Sequence, residues 1–130
     1  MAVLVDTSAL VALADRAGVR HADVSAYVTG TSDPLLVPVT VLPEVDYLIA
    51  SRLGGHVARA VLRSIVQGDF HLEGITLADL VRSSDLMEEY ADSNIGFVDA
   101  SIIALAERIN VTRVLTLDQR HFRYVRPRHC

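Results

Sequence analysis

Short apolar runs of strand character alternate with helical runs from one end of this 130-residue chain to the other, and that order restricts the fold more than any other feature. Val3–Val5 read as a buried strand and residues 8 to about 15 as a helix that Gly18 breaks. Residues 21–29 read as a second helix, GTSDP (30–34) as a turn, and 35–37 as a second buried strand. Pro43 suits a first helical turn. The helix it opens runs to about Leu53 and stops at Gly54-Gly55. In residues 56–67, Val57, Val61 and Ile65 share one helical face and Arg59 and Arg63 another. GDFHLEGI (68–75) alternates like a partly exposed strand, and 76–92 form an amphipathic helix that Thr76 or Asp79 can cap. Residues 96–109 are a helix apolar almost all round, 112–118 a further buried strand, and 123–125 a short final one. Such alternation predicts an α/β fold, a parallel sheet with helices on both faces. With no repeat, linker or low-complexity tract, residues 1–130 read as a single domain.

A chain of this size buries roughly two thirds of its unfolded surface, enough for a core without cross-links. Its one cysteine, Cys130, permits no internal disulfide, so a reducing cytoplasm is the expected setting. The opening MAVLVD has no basic segment and is not read as a signal peptide. No uncharged apolar stretch approaches the roughly 18 residues of a membrane span. A net charge of −4 argues against a general nucleic-acid binder, which shows a basic patch or stripe. All 12 basic residues are arginine. The absence of lysine excludes P-loop, Schiff-base and receiver-domain chemistry and leaves carboxylates, hydroxyls, His and Arg as the reactive inventory.

Four acids stand beside segments that belong in the core. Asp6 follows the strand VLV, Glu44 lies in the first turn after the strand at 35–37, Asp99 opens the most apolar helix, and Asp118 follows the strand VLTL. Each has a structural explanation of its own. Asp6, Asp99 and Asp118 can cap the segments that follow them, and Glu44 can complement a helix dipole. Together they point further. Ligands of an open parallel sheet bind outside the carboxyl ends of its strands, and all four acids belong to that edge. Clustered carboxylates repel and raise one another's pKa. Without lysine, divalent cations neutralise such a patch most economically, and oxygen-only ligands suit Mg²⁺ or Mn²⁺. That chemistry fits phosphodiester hydrolysis, in which one metal activates water and a second, about 4 Å away, can stabilise the leaving oxygen. Thr7 and Ser8 add hydroxyls that can orient a carboxylate, bond a phosphate, or cap the first helix.

VLVDTSAL (3–10), PEV with Glu44, GFVDASIIALAER (96–108) and VLTLDQRHF (114–122) together resemble PIN-domain ribonucleases, most closely the VapC-type toxins of bacterial toxin–antitoxin pairs. The resemblance covers nearly the whole chain in order and spacing. It implies a three-layer α/β/α fold with a central, mostly parallel twisted sheet, and a Mg²⁺- or Mn²⁺-dependent endoribonuclease acting on structured RNA, either transfer RNA or a ribosomal RNA loop. It also implies a homodimer neutralised by a small VapB-type antitoxin. The family's metal-binding and catalytic acids fall on Asp6, Glu44, Asp99 and, at the more variable position, Asp118. Its hydroxyl position falls on Ser8, and Asp92 matches a commonly acidic one.

RNA binding needs cations, and Arg16, Arg20 and His21 after the first helix, with Arg120, His121 and Arg123 after Asp118, are the candidates nearest the acids. Arg52, Arg59 and Arg63 project from the third and fourth helices and can equally be solvated surface. Val45, Leu48, Ile49, Val57, Val61 and Ile65 offer a groove for an amphipathic antitoxin segment, though ordinary core claims part of this set. An antitoxin arginine can pair with the acids. Two rivals are weighed. A haloacid-dehalogenase-like phosphatase needs a second Asp two residues after the first and a lysine; position 8 is serine and lysine is missing. A PIN-like interaction module with little activity predicts a damaged acid quartet, and this one is intact.

Overall fold

The computed structural model describes residues 1–117. Its strands are β1 (Val3–Val5), β2 (Leu35–Pro38), β3 (His71–Glu73) and β4 (Val114–Leu115). Its helices are α1 (Thr7–Ala14), α2 (His21–Gly30), α3 (Leu42–Leu53), α4 (Gly55–Val66), α5 (Leu77–Glu89) and α6 (Phe97–Ile109), with 3₁₀ turns at Val39–Val41 and Ala91–Ser93. The four strands form one sheet in the order β3-β2-β1-β4, every pair parallel. Leu4 lies opposite Leu36 on one side and Val114 on the other.

Topology assigns the layers. The steps β1 to β2 and β2 to β3 run in one direction, and β3 to β4 returns across the sheet. Parallel crossovers are right-handed in nearly all proteins. The two outward connections therefore place α1 to α4 on one face, and the return places α5 and α6 on the other. Packing agrees: α1 touches α2 and α3, α3 touches α4, and α5 touches α6. The three-layer α/β expectation holds.

The central strands explain the apolar runs. Every residue of β1 and β2 is buried, whereas the edge strands β3 and β4 are partly exposed. Helix α6 is apolar all round because it serves two cores. Ile102, Leu105 and Ala106 join the main core under the sheet, while Ala100 and Ile103 pack with Leu86 and Ile95. Polar clamps hold α5 to α6. Thr76 caps α5 in a reciprocal box with Asp79, so both sequence candidates take part. The buried Asp79 carboxylate also accepts from Arg108 Nε at 3.0 and 2.9 Å, and Arg82 grips Glu107 in two bonds. Between α3 and α4 the chain turns at Gly54, whose φ of 104° lies in the left-handed region that glycine enters at little cost.

Strand β3 and helix α5 are shorter than the runs at 68–75 and 76–92, and β4 is shorter than its run as well. Among the described residues the run that begins at 112 pairs at Val114–Leu115, because Thr116 and Leu117 bond to side chains beyond β1 instead of extending the ladder. The expected strand at 123–125, and with it Asp118, Arg120, His121, Arg123 and Cys130, lies outside the described residues.

Candidate active site

Strand order reverses at β1, since β2 and β3 extend to one side of it and β4 lies on the other. Open α/β sheets bind ligands at the carboxyl end of such a switch point. Asp6 is the first residue past that end. Its backbone N–H still reaches Leu115 O at 3.0 Å, so the side chain leaves a fixed anchor.

Asp6 both caps α1 and builds the site. Its Oδ1 accepts from the Thr7 N–H at 2.7 Å. Its Oδ2 accepts from Thr116 Oγ1 at 2.7 Å and, less closely, from Ser8 Oγ at 3.4 Å. Ser8 Oγ lies 3.2 Å from Thr116 Oγ1 and accepts from the Leu117 N–H at 2.9 Å. These hydroxyls sew the start of α1 to the chain leaving β4. Asp6 is only 5% exposed. Burial pushes its carboxyl above the usual carboxylate range; the bonds from Thr116 and Thr7 pull it down, and the charges of Asp99 and Glu44 push it up again. Thr7 Oγ1 is buried with no hydrogen-bond partner among the described residues.

The other two acids arrive on helix N-termini. Glu44 lies in the first turn of α3 and Asp99 in the first turn of α6. Leu48 and Arg52 follow Glu44 at four-residue spacing, hence on one stripe. All three line a cleft of about 780 Å³ that Asp6, Ser8 and Asp99 also line. A brace ties the two helices: Thr40, in the turn before α3, lies 2.7 Å from the fully buried Ser101 Oγ of α6, which donates to Val98 O.

An all-oxygen donor set suits a hard divalent cation, which would offset the field of Asp99 and Glu44 on Asp6. Among the described residues, no three His, Cys, Asp or Glu side chains stand close enough to enclose an ion. Mg²⁺ does not require that, since it keeps several waters and takes one or two carboxylates plus substrate phosphates. The residues therefore fit a hydrated cation rather than a protein cage.

Of the residues expected at the site, Asp6, Thr7, Ser8, Glu44 and Asp99 share the cleft, and Arg20 and His21 join them. Arg20 lies 3.6 Å from Asp23, and His21 Nδ1 lies 3.1 Å from Ala12 O. Two other expected residues do not line this cleft. Asp92 sits in the turn Ala91–Ser93 and is not among the residues lining the cleft; Asn94, two positions on, is. The chain turns back at Asp15 to Gly18, and Arg16 therefore lines a separate groove with Leu13, His56 and Phe70. Sequence reading missed Thr116, Asn94 and Phe97. For Thr116 a signal existed, a lone hydroxyl within VLTL two residues before an acid.

A PIN domain family model matches residues 3–127. The chain is 38% identical over 125 residues to Ribonuclease VapC26 of Mycobacterium tuberculosis (strain ATCC 25618 / H37Rv), covering 96% of this chain and 93% of that protein. Among solved structures, the Sarcin-Ricin loop cleaving toxin VapC20 of Mycobacterium tuberculosis superposes with a TM-score of 0.86 at 19% identity, over 93% of each chain. VapBC2 from Rickettsia felis, bound to a DNA fragment from its promoter, superposes with a TM-score of 0.72 at 15% identity, over 96% of this chain and 93% of that one. At these identities the two structures speak for the fold.

Proposed function

This chain belongs to the PIN-domain family, and we propose that it is the toxin of a toxin–antitoxin pair, an endoribonuclease that hydrolyses phosphodiester bonds of structured RNA with a divalent metal, Mg²⁺ or Mn²⁺. The observation that carries the reading is convergence: acids at positions 6, 44 and 99 line one cleft at the switch point of a parallel sheet. The ribonuclease name of one relative and the toxin name of one structural neighbour support it.

Asp6 and Asp99 are the residues to hold the cation, with Glu44 beside them and Asp118, outside the described residues, as the fourth acid. The bound metal supplies water activated at neutral pH and neutralises phosphate charge. The chain does the rest. Thr116 and the Thr7 N–H favour the ionised form of Asp6 against its burial and fix its direction. The Thr40–Ser101 brace sets the helices that carry Glu44 and Asp99 against each other. Arg52, on the Glu44 stripe, offers a guanidinium to a phosphate. RNA is the substrate, and a transfer RNA or ribosomal RNA loop fits the family.

A VapB-type antitoxin is the expected partner, and its amphipathic segment has a candidate seat between α3 and α4. That groove, of about 250 Å³, is lined by Val45, Ile49, Val61 and Ile65, together with Leu42, Pro43 and Leu62. Val57 lines a different groove, and Leu48 belongs to the acid cleft. We assign the protein to the cytoplasm as a homodimer. No helix among the described residues is long and apolar enough to cross a membrane.

The test is direct. Purified protein should cut RNA with Mg²⁺ or Mn²⁺ and stop with a chelator, and Asp6→Ala or Asp99→Asn should abolish cutting in a folded protein. Full activity in either variant would remove the metal assignment. Expression should arrest growth, and Asp99→Asn should relieve the arrest. Mapping new RNA 5′ ends after brief expression would identify the target.

A further inference from the structure

Phe97 lines the acid cleft without a task in the chemistry. It opens α6 two residues before Asp99 and is 41% exposed. The first position of a helix does not call for an aromatic ring, and this ring, though partly buried, keeps apolar surface open to the cleft. Its neighbours are tied to the core. Two residues earlier, Ile95 is locked into the core made with Leu86, Ala100 and Ile103. Just before Ile95, Asn94 holds the left-handed conformation at φ 56° and lines the same cleft. One anchored corner therefore offers a ring and a primary amide beside the carboxylates.

Aromatic rings stack on any exposed base, and an amide reads base edges through paired hydrogen bonds. In a duplex the faces are stacked and the edges paired, so only an unpaired nucleotide presents both. The cleft's 780 Å³ lies within the roughly 300–1,000 Å³ of ligand sites. Resting on the ribonuclease reading, we propose that Phe97 and Asn94 form a platform for one unpaired nucleobase next to the scissile phosphate. Phe97 supplies the stacking face, Asn94 the edge contact, and Arg52 from α3 takes a phosphate. Paired stems are excluded from this corner, so a loop or a flipped-out nucleotide is the element cut.

The test measures binding without cleavage, in an Asp6→Asn background, by fluorescence anisotropy. The probes are labelled oligoadenylate and the same strand annealed to oligouridylate. Phe97→Ala should weaken binding of the single strand about tenfold, within what base–aromatic stacking contributes, and leave duplex binding unchanged. Phe97→Tyr, which keeps the ring, should bind like its parent. Asn94→Gly keeps the left-handed backbone and removes the amide, and should weaken the single strand alone. The platform falls if Phe97→Ala binds oligoadenylate as tightly as its parent, or loses both probes equally. Cleavage by the wild-type protein is read in parallel. If it cuts no RNA while the selective loss in Phe97→Ala persists, the ribonuclease reading falls and the platform stands.

Discussion

Replacing Thr116 with valine keeps the size of a half-buried side chain and deletes the hydroxyl that donates to Asp6 Oδ2 at 2.7 Å. A hydrogen bond to a charged group contributes about 1.5–3 kcal/mol, and the partial exposure of Thr116 lets water recover some of it, so the loss at neutral pH is about 1.5 kcal/mol. That loss depends on pH. Burial holds the Asp6 carboxyl above the usual range, and Thr116 is the strongest of the groups that pull it down. Ionising Asp6 within the fold therefore costs stability as pH rises from the unfolded carboxylate value, about 3.9, through the raised folded value. Without the hydroxyl that cost grows. The deficit of Thr116→Val is full above the folded titration; below it the neutral carboxyl makes an ordinary bond of about 0.5–1.5 kcal/mol, and the deficit shrinks. Urea unfolding in chelator, at neutral and at acidic pH, reads both values from the midpoints. Thr116→Ser should restore them. Equal deficits at the two pH values, or no recovery with serine, would refute the assigned role of this hydroxyl. In the cleavage assay the same variant should need more cation, and its acid limb should move toward neutral pH.

Asp6→Asn should abolish cutting yet raise thermal stability in chelator at neutral pH by about 0.5–2 kcal/mol, as relief of a functional-site strain does. The sign follows because the raised carboxyl is favoured neutral, and a lower melting temperature would contradict it. Mg²⁺ or Mn²⁺ at a hundredfold excess over its Kd should stabilise the wild type by about 2.7 kcal/mol, and Asp99→Asn should lose most of that gain in a melting titration. Arg108→Ala strands the buried Asp79 and should cost about 2 kcal/mol in urea unfolding, below the fully buried range because Arg108 is 38% exposed. Its kcat on RNA should change little.

The buried elements were readable from residue order because their patterns are local. VLV, 35–37 and the helix GFVDASIIALAERI each announce burial within a dozen residues, and the acids that end or open such segments were found by position alone. Thr116 was not, since its partner lies 110 residues away and depends on the pairing of β4 with β1. Asp92 and Arg16 lie off the cleft for another reason. Both sit in turns, and the direction of a side chain leaving a turn follows from backbone angles that these residue types do not encode. The helical groove shows a third limit. Leu48 and Val57, expected in it, line other cavities, while Leu42 and Leu62 join it, a division set by how the two helices pack.

Pairing of Leu4 and Val5 with Val114 and Leu115 joins opposite ends of the domain. During translation the first aspartate leaves the ribosome early, but the hydroxyl that secures it is made more than a hundred codons later. A chain whose synthesis stalls before residue 114 carries three of its acids and lacks the strand and the hydroxyl that complete the first one's setting. The order of synthesis thus makes the nuclease arm itself late, after the segments that form the antitoxin's proposed seat have emerged.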